Sequence, residues 1–230
     1  MAEFDVHKLE GVHFVEIHLH DETARAEAGA LSYMQGDITI HSRLFPSLLS
    51  VIKSLLADEA IYRPTYTGTG VVTLESSLGG YHILELLDES WILERGAYWA
   101  SDGTVDVSFH REGILTALEA GEGLVYLRTR VSGRGKVVLT TKGPIEEIRL
   151  ESGQAMIAEG RSVIARNAEV RFRMKRPTRN WLGRLTAGEG WWLQAYEGPG
   201  RILLNPRPYW RYWVLAEKRP DVDRRSRATF

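Results

Sequence analysis

At 230 residues, 43 % apolar and 26 % charged, the chain has the make-up of an ordinary globular protein long enough to build its own core. It contains no cysteine, which excludes disulfides and thiolate metal sites and makes a reducing, cytoplasmic setting the expectation. No basic leader with an apolar core opens the chain, and no apolar run approaches the roughly 18 residues of a membrane helix, so no membrane span is expected.

The net charge of −1 conceals a division: residues 1–120 carry net −12, residues 121–170 net +2 and residues 171–230 net +9. Such a split suits either an acidic partner for the C-terminal part or contact between the two ends, and the modest overall charge favours the second.

Residues 13–20, HFVEIHLH, alternate strictly. Val15, Ile17 and Leu19 fall on one face and Phe14, Glu16, His18 and His20 on the other, the pattern of a half-buried strand. A polar turn is expected over 21–28, and Gly36-Asp37 reads as a turn between two further strands within 31–42. Over 43–57, Leu44, Leu48, Ile52, Leu55 and Leu56 recur at helical spacing, which predicts one short amphipathic helix packed on the core.

One short stretch then occurs three times: TYTGTGVVTL at 65–74, RVSGRGKVVL at 130–139 and AYEGPGRILL at 195–204, with first glycines Gly68, Gly133 and Gly198 spaced by 65 residues. Glycine pairs between apolar, β-branched runs predict hairpin turns, and a fixed period predicts an internally repeated fold. Each stretch has a lead-in: LLADEAIY at 55–62, LEAGEGLVY at 118–126 and LTAGEGWWL at 185–193. A second half-unit ends at Leu86 and at Leu150, each followed by a glycine ten residues on (Gly96, Gly160). The third unit has no such half, but the N-terminus supplies one, with Leu19 and Gly29 at the same separation.

The expected architecture is therefore all-β, with three similar β-sandwich modules in pseudo-threefold repetition within a single domain, 1–215. The modules cover about 43–113, 114–177 and 178–215, the last closed by residues 1–42, which would hide two sheet edges. Residues 216–230, rich in Arg and Lys, form a flexible basic tail.

GALSYMQGDI at 29–38, GEGLVYL at 121–127 and GEGWWLQAYEGPGRILLNP at 188–206 together resemble the family of prokaryotic proteins related to a mitochondrial-biogenesis protein of the "altered inheritance of mitochondria" type. The match spans about 10–215, and its weight lies in the order and spacing of short structural motifs. The resemblance implies modules of a shortened double-stranded β-helix topology, a fold like that of the ring-forming tryptophan RNA-binding attenuation protein, and a homotrimer. It brings no catalytic residues. The Gly-Thr-Gly and Gly-Arg-Gly of the first two repeats and the basic tail depart from the family pattern.

Chemical motifs are scarce. The Gly-x-Gly stretches lead into strands, whereas a phosphate cradle leads into a helix. His18 and His20 share a strand face with Glu16, a donor set that could hold a metal, although an exposed strand face accounts for it more simply and no metal is expected. Glu122 and Glu189 occupy repeated lead-in positions, which marks them as structural. PRPYWRYW at 206–213 interleaves Arg207 and Arg211 with Tyr209, Trp210, Tyr212 and Trp213, which suits a protein interface or base stacking. The functional expectation is a non-enzymatic, oligomeric scaffold or binding protein without cofactor. Single-stranded nucleic-acid binding is the alternative, and a metal-dependent enzyme at the His site the third reading.

Overall fold

The computed structural model describes residues 1–41, 63–112, 127–158, 162–175 and 193–205. These residues form fourteen strands and no helix. The helix expected over 43–57, the lead-ins bearing Glu122 and Glu189, the 206–213 stretch and the basic tail lie outside the described residues.

The all-β expectation holds. β1 (Glu3–Leu9), β2 (Val12–Ala26) and β3 (Leu31–His41) precede β4 (Thr65–Leu74). β5 (Tyr81–Leu93), β6 (Tyr98–Asp102) and β7 (Asp106–Arg111) precede β8 (Leu127–Thr140). β9 (Glu146–Leu150), β10 (Ala155–Ala158), β11 (Val163–Asn167) and β12 (Arg171–Lys175) precede β13 (Leu193–Glu197) and β14 (Gly200–Leu204). Among the described residues, eleven strands join in one hydrogen-bonded sheet with the order β3-β4-β2-β6-β8-β5-β11-β14-β9, β1 adding to β2 and β7 to β8. A second sheet has the order β10-β13-β12.

The Gly-x-Gly stretches are not hairpin turns. β4 runs unbroken through Gly68 and Gly70, and β8 through Gly133 and Gly135. In the third stretch the chain passes at Gly198-Pro199 from β13, in the smaller sheet, to β14, in the larger one. Glycine is needed for proximity as well as for backbone angle. A Cβ on Gly68 would lie 2.0 Å from the Asp37 carbonyl oxygen, and one on Gly70 2.1 Å from that of Gln35. Both glycines have φ near +140 to +150°, at +139° and +152°. Gly36 is likewise not a turn. It lies inside β3 directly opposite Gly70, so two backbones cross in contact there.

The strand beside each of the first two glycine pairs bends by a different device. Most of the expected polar turn at 21–28 is instead a continuation of β2 to Ala26 through a bulge at Asp21, whose φ is +61°, and the turn follows only at 27–30. The register slips between His20 and Glu22, and Glu22 comes opposite Gly68. The extra residue exchanges the faces: β2 buries Val15, Ile17 and Leu19, then Ala24 and Ala26. β5 repeats this at Asp88 (φ +60°), with Glu89 opposite Gly133. It buries Leu84 and Leu86 before the bulge and Trp91 and Leu93 after it.

Among the described residues three apolar clusters result. One gathers Val15, Ile17, Leu19, Tyr66, Val72 and Leu74. The next holds Leu86, Trp91, Val131, Val137 and Leu139, and also takes Ile164 and Leu203 from β11 and β14. The last comprises Leu150, Val163, Val170, Tyr196 and Ile202. Each fully buried Ile, Leu or Val contributes about 1.5–3 kcal/mol.

The pairings give the N-terminal strands their partners among the described residues. β2 pairs with β1, β4 and β6, and β3 pairs with β4, so residues 12–41 sit with the first glycine stretch. β14 pairs with β9 and β11. Among the described residues no strand pairing joins 1–41 to 193–205. The half-unit that ends at Leu19 belongs to the glycine strand that follows it, as those ending at Leu86 and Leu150 do, so the N-terminal strands have a partner of their own.

Replacing Gly68 by Ala should cost about 3 kcal/mol in urea unfolding, because the backbone angle is strained and the contact with β3 has no room for a methyl group. Gly29 also has a positive φ (+83°) but no atom within 4 Å of its ideal Cβ. Gly29→Ala should cost about 1 kcal/mol, the conformational term alone.

Candidate functional site

The outer face of β1 and β2 carries the residues considered as metal ligands. Strand pairing places Asp5 opposite Glu16 and His7 opposite Phe14. His7 Nε2 lies 3.1 Å from Glu16 Oε2, and His18 Nε2 lies 3.3 Å from Asp5 Oδ2 and 3.9 Å from the same Glu16 oxygen. Thr73 Oγ1 donates to Glu16 Oε1 at 3.5 Å. His20 is exposed one step further along, beside the bulge. Alternation therefore puts Glu16 and His18 on one face as expected, and His7 and His18 from the paired strands both approach Glu16 Oε2, with Asp5 the nearer partner of His18. Among the described residues no three His, Asp or Glu side chains are grouped as a metal site.

Sequence reasoning missed the buried ions. Arg63 precedes β4 and is 6 % exposed; its Nε donates to Glu27 Oε2 at 2.9 Å, and its guanidinium lies 4.1 Å from the centre of the Tyr98 ring. Arg128, 65 residues later, is 2 % exposed. Its Nη1 lies 2.6 Å from Glu94 Oε1, and its guanidinium lies 4.5 Å from the Phe172 ring. The repeat spacing connects the two arginines, and Glu27 and Glu94 stand 67 residues apart, so the signal was present in the sequence. A third clasp joins β14 to β5: Arg201 Nη2 donates to both Glu89 oxygens, at 2.6 and 2.8 Å, with its guanidinium 5.1 Å from the Trp91 ring.

Around Arg128 the charges condense further. Glu112 Oε1 bonds Arg166 Nη2 and lies 3.8 Å from Arg128 Nε and 3.6 Å from His110 Nε2. Arg166 Nη1 donates to the Val170 carbonyl at 2.7 Å. Burial pushes the Glu112 carboxyl up, but the His110 hydrogen bond and the charges of Arg166 and Arg128 outweigh it and hold the group below its ordinary range. A general acid at neutral pH needs the opposite shift. Burial raises Tyr98 to about 12 and also raises Tyr196, so neither phenol ionises near neutrality. The cluster is chemically a lock between the second and third apolar clusters.

β3 is the other exceptional feature. It stands at one end of the larger sheet, eleven residues long, paired only with β4 among the described residues. Tyr33, Met34 and Ile40 are exposed on it. Met34 and Ile40 lie opposite the buried Val72 and Tyr66, so they extend the core side of the sheet beyond its cover. The opposite end, β9, is five residues long and exposes Glu146, Glu147 and Arg149, the usual defence of a sheet edge.

Glu112→Gln should destabilise the protein by about 3 kcal/mol at neutral pH, since two buried guanidiniums lose a shared counter-charge. The folded carboxyl titrates below its unfolded value of 4.5, so its contribution is present above that value and fades as pH falls through the lower folded value. Acid unfolding followed by circular dichroism should accordingly be steeper in the parent than in the variant.

Comparison with known proteins places the chain. A protein of Streptococcus pyogenes serotype M6, itself uncharacterized, is 25 % identical over 202 residues, which cover 83 % of this chain and 80 % of that protein. An X-ray crystal structure of a Streptococcus pyogenes protein shares the fold with a TM-score of 0.73, at 20 % identity, over 94 % of this chain and 99 % of the other. The family described as mitochondrial biogenesis AIM24 matches residues 5–207, nearly the whole chain, and the protein belongs to that family.

Proposed function

We propose that this protein is a non-enzymatic binding scaffold that works in the cytoplasm as a homotrimer, each chain being built of three copies of one β unit. The observation that carries the reading is the β3 edge, long and partly apolar, where the other end of the sheet is short and charged. An edge of that kind is a template for pairing unless something covers it. The occupant we assign is a second copy of the chain. The support is charge complementarity: β3 lies in the acidic part of the sequence, and residues 171–230 carry net +9. A head-to-tail contact between unlike surfaces closes into a ring when the rotation allows it.

The triplication has its own support. Tyr66, Val131 and Tyr196 are buried at one spacing of 65, as are Val72, Val137 and Ile202. β4 lies between β2 and β3, β8 between β5 and the β6 and β7 strands, and β14 between β9 and β11. The double-stranded β-helix description and the likeness to the attenuation protein belong to this proposal. Single-stranded nucleic-acid binding, the alternative by analogy with the attenuation protein, would use Arg207–Trp213 and the basic tail, which lie outside the described residues, and it is not the reading favoured. Among these no helix is long and apolar enough to cross a membrane.

Light scattering on the full chain should give three times its mass of 26.0 kDa. Met34→Lys with Ile40→Lys should give a monomer with an unchanged far-ultraviolet spectrum. A monomeric parent removes the proposal, and a trimeric double variant removes β3 as its contact.

A further inference from the structure

The two strand pairings that tie the three apolar clusters together, β2 with β6 and β5 with β11, follow one rule. Tyr66, Val131 and Tyr196 stand opposite Ala24, Trp91 and Met156. Val72, Val137 and Ile202 stand opposite Met34, Ser101 and Arg166. Where β2 meets β6, Arg25, the residue after Ala24, faces Ser101, with Ala24 opposite Asp102 and Ala26 opposite Ala100. Where β5 meets β11, Ile92, the residue after Trp91, faces Arg166, with Trp91 opposite Asn167 and Leu93 opposite Ala165. Both joints are antiparallel, and every residue in them except Arg25 is buried.

The same rule names a third joint. Ile157, the residue after Met156, would face Met34, with Met156 opposite Gln35 and Ala158 opposite Tyr33. Within the chain that joint is not made. Among the described residues β3 pairs only with β4, and β10 only with β13 in the other sheet, so both outer edges stay open. The residues that the rule selects are exposed: Tyr33 at 50 %, Met34 at 38 % and Ile157 at 49 %. Ile92, the counterpart of Ile157, is 2 % exposed. An apolar side chain is thus covered at the formed joint and bare at the unmade one.

We propose that β3 of one copy pairs antiparallel with β10 of the next, in the register Met34 opposite Ile157. The inference rests on the scaffold reading given above and adds the partner strand to it. Pairing completes the backbone hydrogen bonds of two open edges and covers the apolar side chains beside them. The contact joins unlike strands, so each copy engages one neighbour through β3 and the other through β10, and three copies close a ring. Charge agrees with this. β12, in the same sheet as β10, exposes Arg171 and Arg173, whereas β3 belongs to residues 1–120, net −12.

The chain has no cysteine, so introduced cysteines report the register directly. Residues directly opposed in antiparallel strands have Cα atoms roughly 4.5–5.5 Å apart, within disulfide reach. Met34→Cys and Ile157→Cys, co-expressed in separate full-length chains and mildly oxidised, should link as a covalent dimer, and neither alone should link. The double variant, Met34→Cys with Ile157→Cys, should run as a covalent trimer under denaturing, non-reducing conditions. Ile40→Cys should not link to Ile157→Cys, because Ile40 lies roughly 20 Å along β3 from Met34. Ile157→Lys should turn the trimer into a monomer with an unchanged far-ultraviolet spectrum. A link within single chains of the double variant would put the joint inside one molecule, and a link of Met34→Cys to itself would pair β3 with β3; either overturns the proposal. A trimeric parent whose cysteines do not link overturns the β3–β10 joint and leaves the scaffold reading standing, whereas a monomeric parent removes both.

Discussion

Everything in this fold depends on places where two strands touch backbone to backbone. At Gly68 and Gly70 the adjoining strand leaves no room for a methyl group: the nearest carbonyl oxygens would stand 2.0 and 2.1 Å from it. Gly198 meets the same limit, at 2.4 Å from the Glu151 carbonyl oxygen. The contact lets a long strand bend and serve both sides of a core, while the strand beside it adapts through a one-residue bulge at Asp21 or Asp88. Because the bulge exchanges the inward and outward faces, one strand can bury Val15, Ile17 and Leu19 and then Ala24 and Ala26. The apolar pattern, the glycines and the aspartates thus form one device.

The device explains which parts of the sequence were legible. Strict alternation at Val15, Ile17 and Leu19 identified a strand correctly, because only burial on one face produces it. The glycine pairs were located but misjudged. A glycine flanked by β-branched residues looks the same in a turn as in a strand interior with a close neighbour, and only the neighbour distinguishes them. Gly36 failed for the same reason, its reason for being glycine lying in Gly70 across the sheet. The half-unit spacing was real, and among the described residues each half-unit pairs with the glycine strand that follows it.

The candidate sites were less legible still. Arg63, Arg128 and Arg166 look like surface charges in sequence, and their burial follows from carboxylates 36, 34 and 54 residues away. The recurrence of Arg63 and Arg128 at the repeat spacing was the one available clue. Glu16 and His18 were placed correctly on a face, but Asp5 and His7, supplied by β1, decide what those groups do there.

The three apolar clusters are mechanically one body. β2 pairs with β6, β5 pairs with β11, and Leu203 of β14 packs among residues of β5 and β8. Arg201 and Glu89 reinforce the last of these joints, between β14 and β5. Native-state hydrogen exchange tests this claim most directly. Amides in 70–74, 135–139 and 200–204 should exchange through a single opening with one common free energy, equal to that of global unfolding. Exchange of 200–204 at a clearly lower free energy than 70–74 would show that the clusters open separately, and would contradict the account.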